Sequence, residues 1–199
     1  MNKQWERLAV LSSAAVMVAG TLLYFPTDTL QNISWGITAS AEETGEGTES
    51  GSQTWNEDDG LTWTLDADGT LTISGTGAMK DYDTDYSPAA QKKDSVKKVV
   101  IQEGVTSIGE RAFEGCTVLT SITIPKSVTS IGYRAFFDTP WLTNKQKDTP
   151  LVIVNGILID GTACSGEVTI PDGVTNIGIG AFCNCTGLTS INIPKSVTS

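Results

Sequence analysis

A repeat with a period of 23 residues organises the second half of this chain of 199 residues. Residues 96–118, 119–141 and 165–187 superpose without gaps, and a further unit begins at Leu188. Such self-similarity is typical of stacked repeat units, because one unit cannot bury its own apolar face. We therefore expect the aligned apolar residues to stack in columns. These columns are Ile101, Ile124, Ile170 and Ile193; Val105, Val128, Val174 and Val197; Ile108, Ile131 and Ile177; and Phe113, Phe136 and Phe182.

Each unit has the pattern of two short extended stretches and a corner. In the second unit, Ile122 and Ile124 alternate with polar residues and predict a strand that ends at Pro125. A second alternating stretch at 127–131 leads into a compact corner at 135–136, for which a helical turn is one option. The pattern predicts a mainly β repeat solenoid of 23-residue coils.

Residues 142–164 have the length of one repeat unit but a different amino-acid sequence. Two apolar runs, 151–154 and 157–160, flank the pair Asn155-Gly156. Both residues of this pair tolerate the positive φ of a type I′ turn, so the pair is a strong hairpin signal. We therefore predict a modified coil that carries a hairpin and does not interrupt the solenoid.

The residues before the repeats predict a separate element. Residues 61–75 alternate apolar and polar side chains on both sides of a short Asp-Gly loop, which favours a β-hairpin. The stretch 80–95 is polar and is expected to be a loop. We assign residues 61–95 to an N-terminal β-hairpin cap with its loop, and residues 96–199 to the solenoid, which ends within a repeat unit.

Residues 1–41 have the pattern of a secretory signal peptide. Lys3 and Arg7 precede an uncharged run of 18 residues, 8–25, and a small-residue cleavage site ends at Ala41. The run is also just long enough to span a bilayer as an uncleaved anchor. Both interpretations place the residues that follow outside the cell.

Residues 42–60 contain seven acidic residues and no basic ones, and they predict a disordered acidic linker.

The formal net charge of the chain is −10, which would repel a phosphate backbone, so we expect no nucleic-acid partner. The chain has no histidine, and this excludes Ser-His-Asp and Cys-His catalysis and every His-ligated metal site. We predict no enzymatic activity, no cofactor and no metal site.

The cysteines and tryptophans each leave two interpretations open. Cys116 and Cys185 share a repeat column and fit small buried residues, while a disulfide among Cys164, Cys183 and Cys185 is the alternative that export would permit. Exposed tryptophans at 63 or 141 would favour stacking on sugars, whereas buried ones would be core.

The repeat unit LTSITIPKSVTSIGYRAF, residues 119–136, resembles the repeat of BspA-like leucine-rich-repeat surface proteins of oral and gut bacteria. The segment WTLDADGTLTISGTGAM, residues 63–79, resembles the β-rich opening of many of those chains. The resemblance covers about residues 61–199. It implies a leucine-rich-repeat-like solenoid that is secreted or displayed on a bacterial cell surface, and some members are adhesins. No binding residue of the family maps onto this sequence.

We therefore predict a non-catalytic extracellular interaction or adhesion module that binds a protein or polymer through its repeat surface. The alternative is a carbohydrate-associated accessory module of a larger secreted degradative protein. The partner would be an extracellular protein or glycan, with membrane contact only through an uncleaved N-terminal segment. Successive strand residues alternate faces, so outward positions form the candidate binding face. These positions are Ser121, Thr123, Thr169, Ser190 and Asn192.

Overall fold

The computed structural model describes residues 52–199 and two strands near the N-terminus. The two strands, β1 (Ala15–Val18) and β2 (Thr21–Tyr24), pair antiparallel with each other. The rest of the predicted signal peptide, and the predicted linker up to residue 51, lie outside the described residues.

The chain divides into two compact units, residues 1–47 and 48–199. Within the described part of the chain, neither helix combines the length and the apolar composition that crossing a membrane requires. The following paragraphs concern the second unit.

The second unit is mainly β, as the sequence predicts, with two short helices. The helices are α1 (Pro88–Gln91) and α2 (Pro140–Asp148). The strands are β3 (Gln53–Asn56), β4 (Thr62–Leu65), β5 (Thr70–Ser74), β6 (Gly77–Ala78), β7 (Lys98–Ile101), β8 (Val105–Ile108), β9 (Ser121–Thr123), β10 (Ser130–Ile131), β11 (Val152–Val154), β12 (Ile157–Asp160), β13 (Gly166–Thr169), β14 (Asn176–Ile177) and β15 (Leu188–Asn192).

The repeats pair in parallel at the predicted spacing. In β7 and β9, Lys98 lies opposite Ser121, and in β8 and β10, Ser107 lies opposite Ser130, each 23 residues further along. The strands form four open sheets: β3-β4-β5-β7-β9, β6-β8-β10, β11-β12-β14 and β13-β15. Each of the first two units thus contributes one strand to each of two ladders, because the apolar residues of both stretches must face one core.

The segment before the repeats follows the path of a repeat. Strands β4 and β5 pair antiparallel, and β5 and β6 then pair in parallel with β7 and β8. The correspondence between this segment and the first repeat continues beyond the strands. The Tyr82 amide donates a hydrogen bond to the Glu110 carbonyl over 3.0 Å. The hairpin is therefore joined edge to edge with the first repeat, and Trp63 is fully buried against Phe113.

The corner of each repeat is not helical, although the sequence left a helical turn as an option. Arg111, Arg134 and Gly180 occupy one repeat position and have φ angles of 52°, 55° and 73°. A left-handed residue at this position breaks the helical path, so the corner is a series of turns.

Aromatic side chains stack along the core. The rings of Phe113 and Phe136 are parallel, with centroids 5.7 Å apart, as their shared column predicts. Trp63 packs on Phe113 at 5.5 Å, and Trp141 packs on Phe136 at 4.8 Å. Phe182 does not join this column, contrary to the prediction, and belongs with a second, smaller cluster of buried residues.

The third unit interrupts the strand ladder, so the prediction of an uninterrupted solenoid over 96–199 is wrong at this point. The period places a strand at 144–146, opposite β9, but these residues lie in α2. Thr139 is the N-cap of this helix, and Pro140 is its first residue, which is the favoured arrangement for a helix start.

The predicted hairpin at 151–160 is present, with Asn155 and Gly156 at φ angles of 51° and 78°. Its second strand, β12, pairs in parallel with β14, with Ile157 opposite Asn176. The parallel pairing thus resumes after α2, but at a spacing shorter than the predicted period. The Asn155 side-chain amide donates to the carbonyls of Pro125 and Val128 over 2.7 and 3.2 Å, which joins the turn to the preceding repeat.

Two predicted boundaries need correction. The predicted linker 42–60 extends too far, because β3 lies within it and Trp55 packs against the core. The acidic residues after β3 also form ion pairs: Lys80 Nζ lies 2.7 Å from Glu57 Oε2 and 2.6 Å from Asp58 Oδ1.

The predicted loop at 80–95 contains the short helix α1. The buried hydroxyl of Ser87 caps it by accepting from the Ala90 amide over 3.0 Å, and Pro88 opens it. The sequence Ser-Pro-Ala-Ala carries this signal, since a serine N-cap followed by proline favours a helix start.

Candidate functional site

The five residues predicted to form the binding face are all exposed, but they lie on two sheets. Ser121 and Thr123 are on β9, the edge strand of the five-stranded sheet. Thr169, Ser190 and Asn192 are on the two-stranded sheet β13-β15, where Thr169 lies opposite Asn192. The structure therefore brings together residues within each group. It does not join the two groups in one sheet, because α2 takes the place of the intervening strand.

The five-stranded sheet extends the first group across its outer side. A row of paired residues runs from β3 to β9 and presents threonine on four of the five strands. This row is Thr54, Thr64, Thr72, Val100 and Thr123. A shorter parallel row is Thr70, Lys98 and Ser121. We call these eight residues the outer face.

The inner side of the same sheet is the core. Alternation places Trp63, Ile73 and Ile101 inside, and each is 2% exposed or less. Burial of these side chains fixes the register, since a slip of one residue would turn the threonines inward. The outer face is thus positioned by the core beneath it.

The outer face is chemically uniform. Short hydroxyl side chains dominate it, and Lys98 is its single charged residue. The hydroxyls of Thr54 and Thr64 lie 3.5 Å apart across the strand pair, and Thr62 at the margin donates to Asn56 Oδ1 over 3.1 Å. β-branched threonine has little rotamer freedom to lose, so such a surface is already ordered before a partner arrives.

Sequence reasoning missed the half of the outer face that lies on β3, β4 and β5, since it assigned outward positions only within the repeats. The signal was present in the alternation of threonine in LTWTLDADGTLTISG, residues 61–75. What the pattern could not give was the pairing of β5 with β7, which joins the hairpin to the repeats.

The tryptophans in residues 52–199, the part of this unit that the structure describes, offer no stacking platform on this surface. Trp63 is fully buried and Trp141 is 7% exposed, and both pack against the phenylalanine column. Trp55 is half-buried and packs against the same core. The position of these rings is the one expected for core residues rather than for a sugar site.

All four cysteines are free, and they differ in environment. Cys116 is buried, as its repeat column predicts, and burial raises the pKa of its thiol to about 12. Cys185, in the same column, is half-buried, and its thiol lies 3.2 Å from the Gly161 carbonyl. The disulfide alternative among Cys164, Cys183 and Cys185 is not formed.

In the part of the chain that the structure describes, no group of three or more side chains is arranged to hold a metal ion.

Comparison with known proteins identifies relatives of the repeat region. The model of a family described as "BspA type Leucine rich repeat region" matches residues 87–199 in six copies. No curated protein matches the chain.

Three solved structures resemble this chain. A leucine-rich repeat protein from Eubacterium ventriosum ATCC 27560 is 28% identical with a TM-score of 0.51, and the match covers 73% of this chain and 45% of that protein. A leucine rich cell surface protein from Faecalibacterium prausnitzii A2-165 is 25% identical, with a TM-score of 0.31 and coverages of 73% and 44%. A leucine rich repeat protein of T. pallidum is 22% identical, with a TM-score of 0.33 and coverages of 66% and 67%. The chain spans less than half of the first two proteins.

Proposed function

Because this chain belongs to the BspA-type leucine-rich-repeat family, we propose that it is a non-catalytic module, secreted or displayed on a bacterial surface, that binds a protein partner. The single observation that carries the proposal is the outer face, a pre-ordered and almost uncharged surface across five strands. Export is supported by the basic start, apolar run and small-residue site of residues 1–41.

We further propose that the repeats form a solenoid with the β4-β5 hairpin as its N-terminal cap. The cap is supported by the parallel pairing of β5 with β7, which covers the exposed edge of the first repeat. The solenoid is supported by the parallel pairing of β7 with β9 and of β13 with β15, in which most paired residues are 23 positions apart.

A protein partner fits this surface better than a small molecule or a sugar. Small-molecule sites are concave, whereas paired strands with short side chains make a shallow face. The burial of Trp63 and Trp141 removes the stacking rings that would favour the carbohydrate-associated alternative.

The test is a binding screen of the full chain against extracellular matrix proteins and glycans, followed by charge insertion. The double substitution Ser121→Glu and Thr123→Glu places two carboxylates at the edge of the outer face, and we expect it to abolish binding of a protein partner. Thr169→Glu with Asn192→Glu tests the second group separately.

The matched control is Thr106→Glu with Thr186→Glu, which adds the same charge at exposed positions away from both groups. This control is expected to bind like the parent chain. Binding that survives both face variants would show that the partner does not use these strands. Capture of glycans alone would favour the accessory-module alternative.

A further inference from the structure

A cleft of about 260 Å³ opens where the third repeat departs from the pattern. Regular repeats place one corner directly on the next, but the third unit has no Gly-x-x-Ala-Phe sequence. The corner at 131–137 therefore faces the corner at 179–184 across a gap, with residues 159–162 between them. The cleft is a consequence of the missing corner.

The walls of the cleft are partly apolar and partly polar. Leu142 and Ile159 line it, together with two of the most exposed large apolar side chains, Phe137 at 45% and Ile179 at 78%. Tyr133 reaches across to Gly180, where a Cβ atom would lie only 2.6 Å from its ring. Glycine in place of the arginine found in the other repeats therefore lets the tyrosine ring close one side of the cleft.

The basic residue of the cleft is already neutralised. Arg134 Nη1 lies 3.3 Å from Glu114 Oε1, and Glu114 also pairs with Arg111 at 3.2 Å. Arg111 in turn lies 2.7 Å from Glu110. Two arginines and two glutamates thus balance, and this network itself carries no net charge.

Asp160 lines the cleft without a cationic partner among the described residues. Its Oδ1 accepts hydrogen bonds from Gln146 Nε2 at 2.9 Å and from the Thr162 amide at 3.1 Å. These neutral donors hold the half-buried carboxylate in place but do not cancel its charge. A carboxylate beside apolar walls attracts a cation more strongly than one in bulk water, because the local dielectric is lower.

We propose that this cleft binds the side chain of a lysine or arginine from a partner polypeptide. The methylene stem would pack on Leu142, Ile159 and Ile179, and the charged group would pair with Asp160. The cleft is smaller than the roughly 300 Å³ at which sites for drug-sized ligands begin, and its size suits one long side chain. The assignment of the cation to a polypeptide rests on the proposed function.

The test uses two small probes that differ only in charge at the end of the stem: Nα-acetyl-lysine methylamide and Nα-acetyl-norleucine methylamide. Each is titrated into the full chain while the backbone amide signals are followed by NMR. We expect the lysine probe to shift the signals of Tyr133, Asp160 and Ile179, and to bind about tenfold more tightly than the norleucine probe.

Asp160→Asn keeps an oxygen acceptor for the neutral donors and removes the charge, so it should bring the two probes to equal affinity. Asp138→Asn is the matched control, because Asp138 is an exposed carboxylate that does not line the cleft, and it should leave the difference intact. Equal binding of both probes to the parent chain, no binding of either, or the same loss in both variants would overturn the proposal. None of these outcomes affects the test of the outer face, which uses other residues and whole partner proteins.

Discussion

At the scale of single residues, the core depends on a column of aromatic rings that ends in tryptophan on both sides. Phe113 and Phe136 occupy the repeat position, while Trp63 and Trp141 come from the hairpin and from the start of α2. Residues outside the phenylalanine position thus extend its column, and all four rings belong to one hydrophobic cluster.

Phe136→Ala is expected to lower the free energy of unfolding by about 3–5 kcal/mol, because it leaves a cavity between two packed rings. Urea titration measures the loss. Phe182→Ala is the comparison at the same repeat position, and it should cost less because Phe182 is only partly buried. A loss below about 1 kcal/mol for Phe136→Ala would place this ring outside the core.

The thiols should differ sharply in reactivity. Cys183 is exposed, whereas Cys116 is buried and its pKa is raised from 9.0 to about 12 by desolvation. A thiol reagent needs both access and thiolate, so at pH 8 it should modify Cys183 quickly and Cys116 only after unfolding. Mass spectrometry of the labelled peptides measures this, with labelling in urea as the reference. Similar native rates at both cysteines would contradict the buried position.

At the scale of elements, one helix changes the architecture of the third repeat. The buried hydroxyl of Thr139 donates to the Phe136 carbonyl over 2.7 Å and accepts from the Leu142 amide over 3.2 Å. Cysteine stands at this position in two other repeats, and those repeats continue as strands. A helix therefore begins where the other repeats lead into a strand. Most of this helix lies in the third unit, whose missing corner leaves the cleft.

Thr139→Ala should lower stability by about 1–2 kcal/mol, because the α2 amide at Leu142 loses its acceptor. Thr139→Ser retains the hydroxyl and should lose much less. Chemical denaturation compares the two variants, and equal losses would mean that methyl packing, rather than the cap, is what Thr139 contributes.

At the scale of the second unit, the buried residues form two clusters of unequal size. The larger one lies under the five-stranded sheet and the first repeats, and it includes Phe113 and Phe136. The smaller one consists of Leu158, Ile170, Val174 and Ala181 with partly buried neighbours. Because stability follows local burial, the two ends of the repeat array are expected to open independently.

Hydrogen exchange should reveal this difference. Strand β7 is paired on both sides over the larger cluster, so its amides should exchange at least about tenfold more slowly than those of β15. Exchange monitored by mass spectrometry resolves the two segments. Equal protection would instead indicate that all repeats open together as one cooperative unit.

The repeat and most members of its apolar columns could be predicted from the sequence alone. These follow from local periodicity, since alternation of side chains decides which residues of a strand are buried. Two members were predicted wrongly: Phe182 does not join its column, and Ile193 is 54% exposed. The resemblance to the BspA-like family, drawn from the unit at 119–136, is confirmed by the family match. The hairpin at Asn155-Gly156 was equally readable, because few residues accept its backbone angles.

Only the tertiary structure decided how these pieces join. The pairing of β5 with β7 extends the face beyond the repeats, and it depends on contacts between distant segments rather than on any local pattern. The separation of Ser121 and Thr123 from Thr169, Ser190 and Asn192 likewise follows from α2, whose signal at Thr139-Pro140 competes with the repeat period. Local preference prevailed there because the proline supplies no amide to a ladder and fits the first turn of a helix.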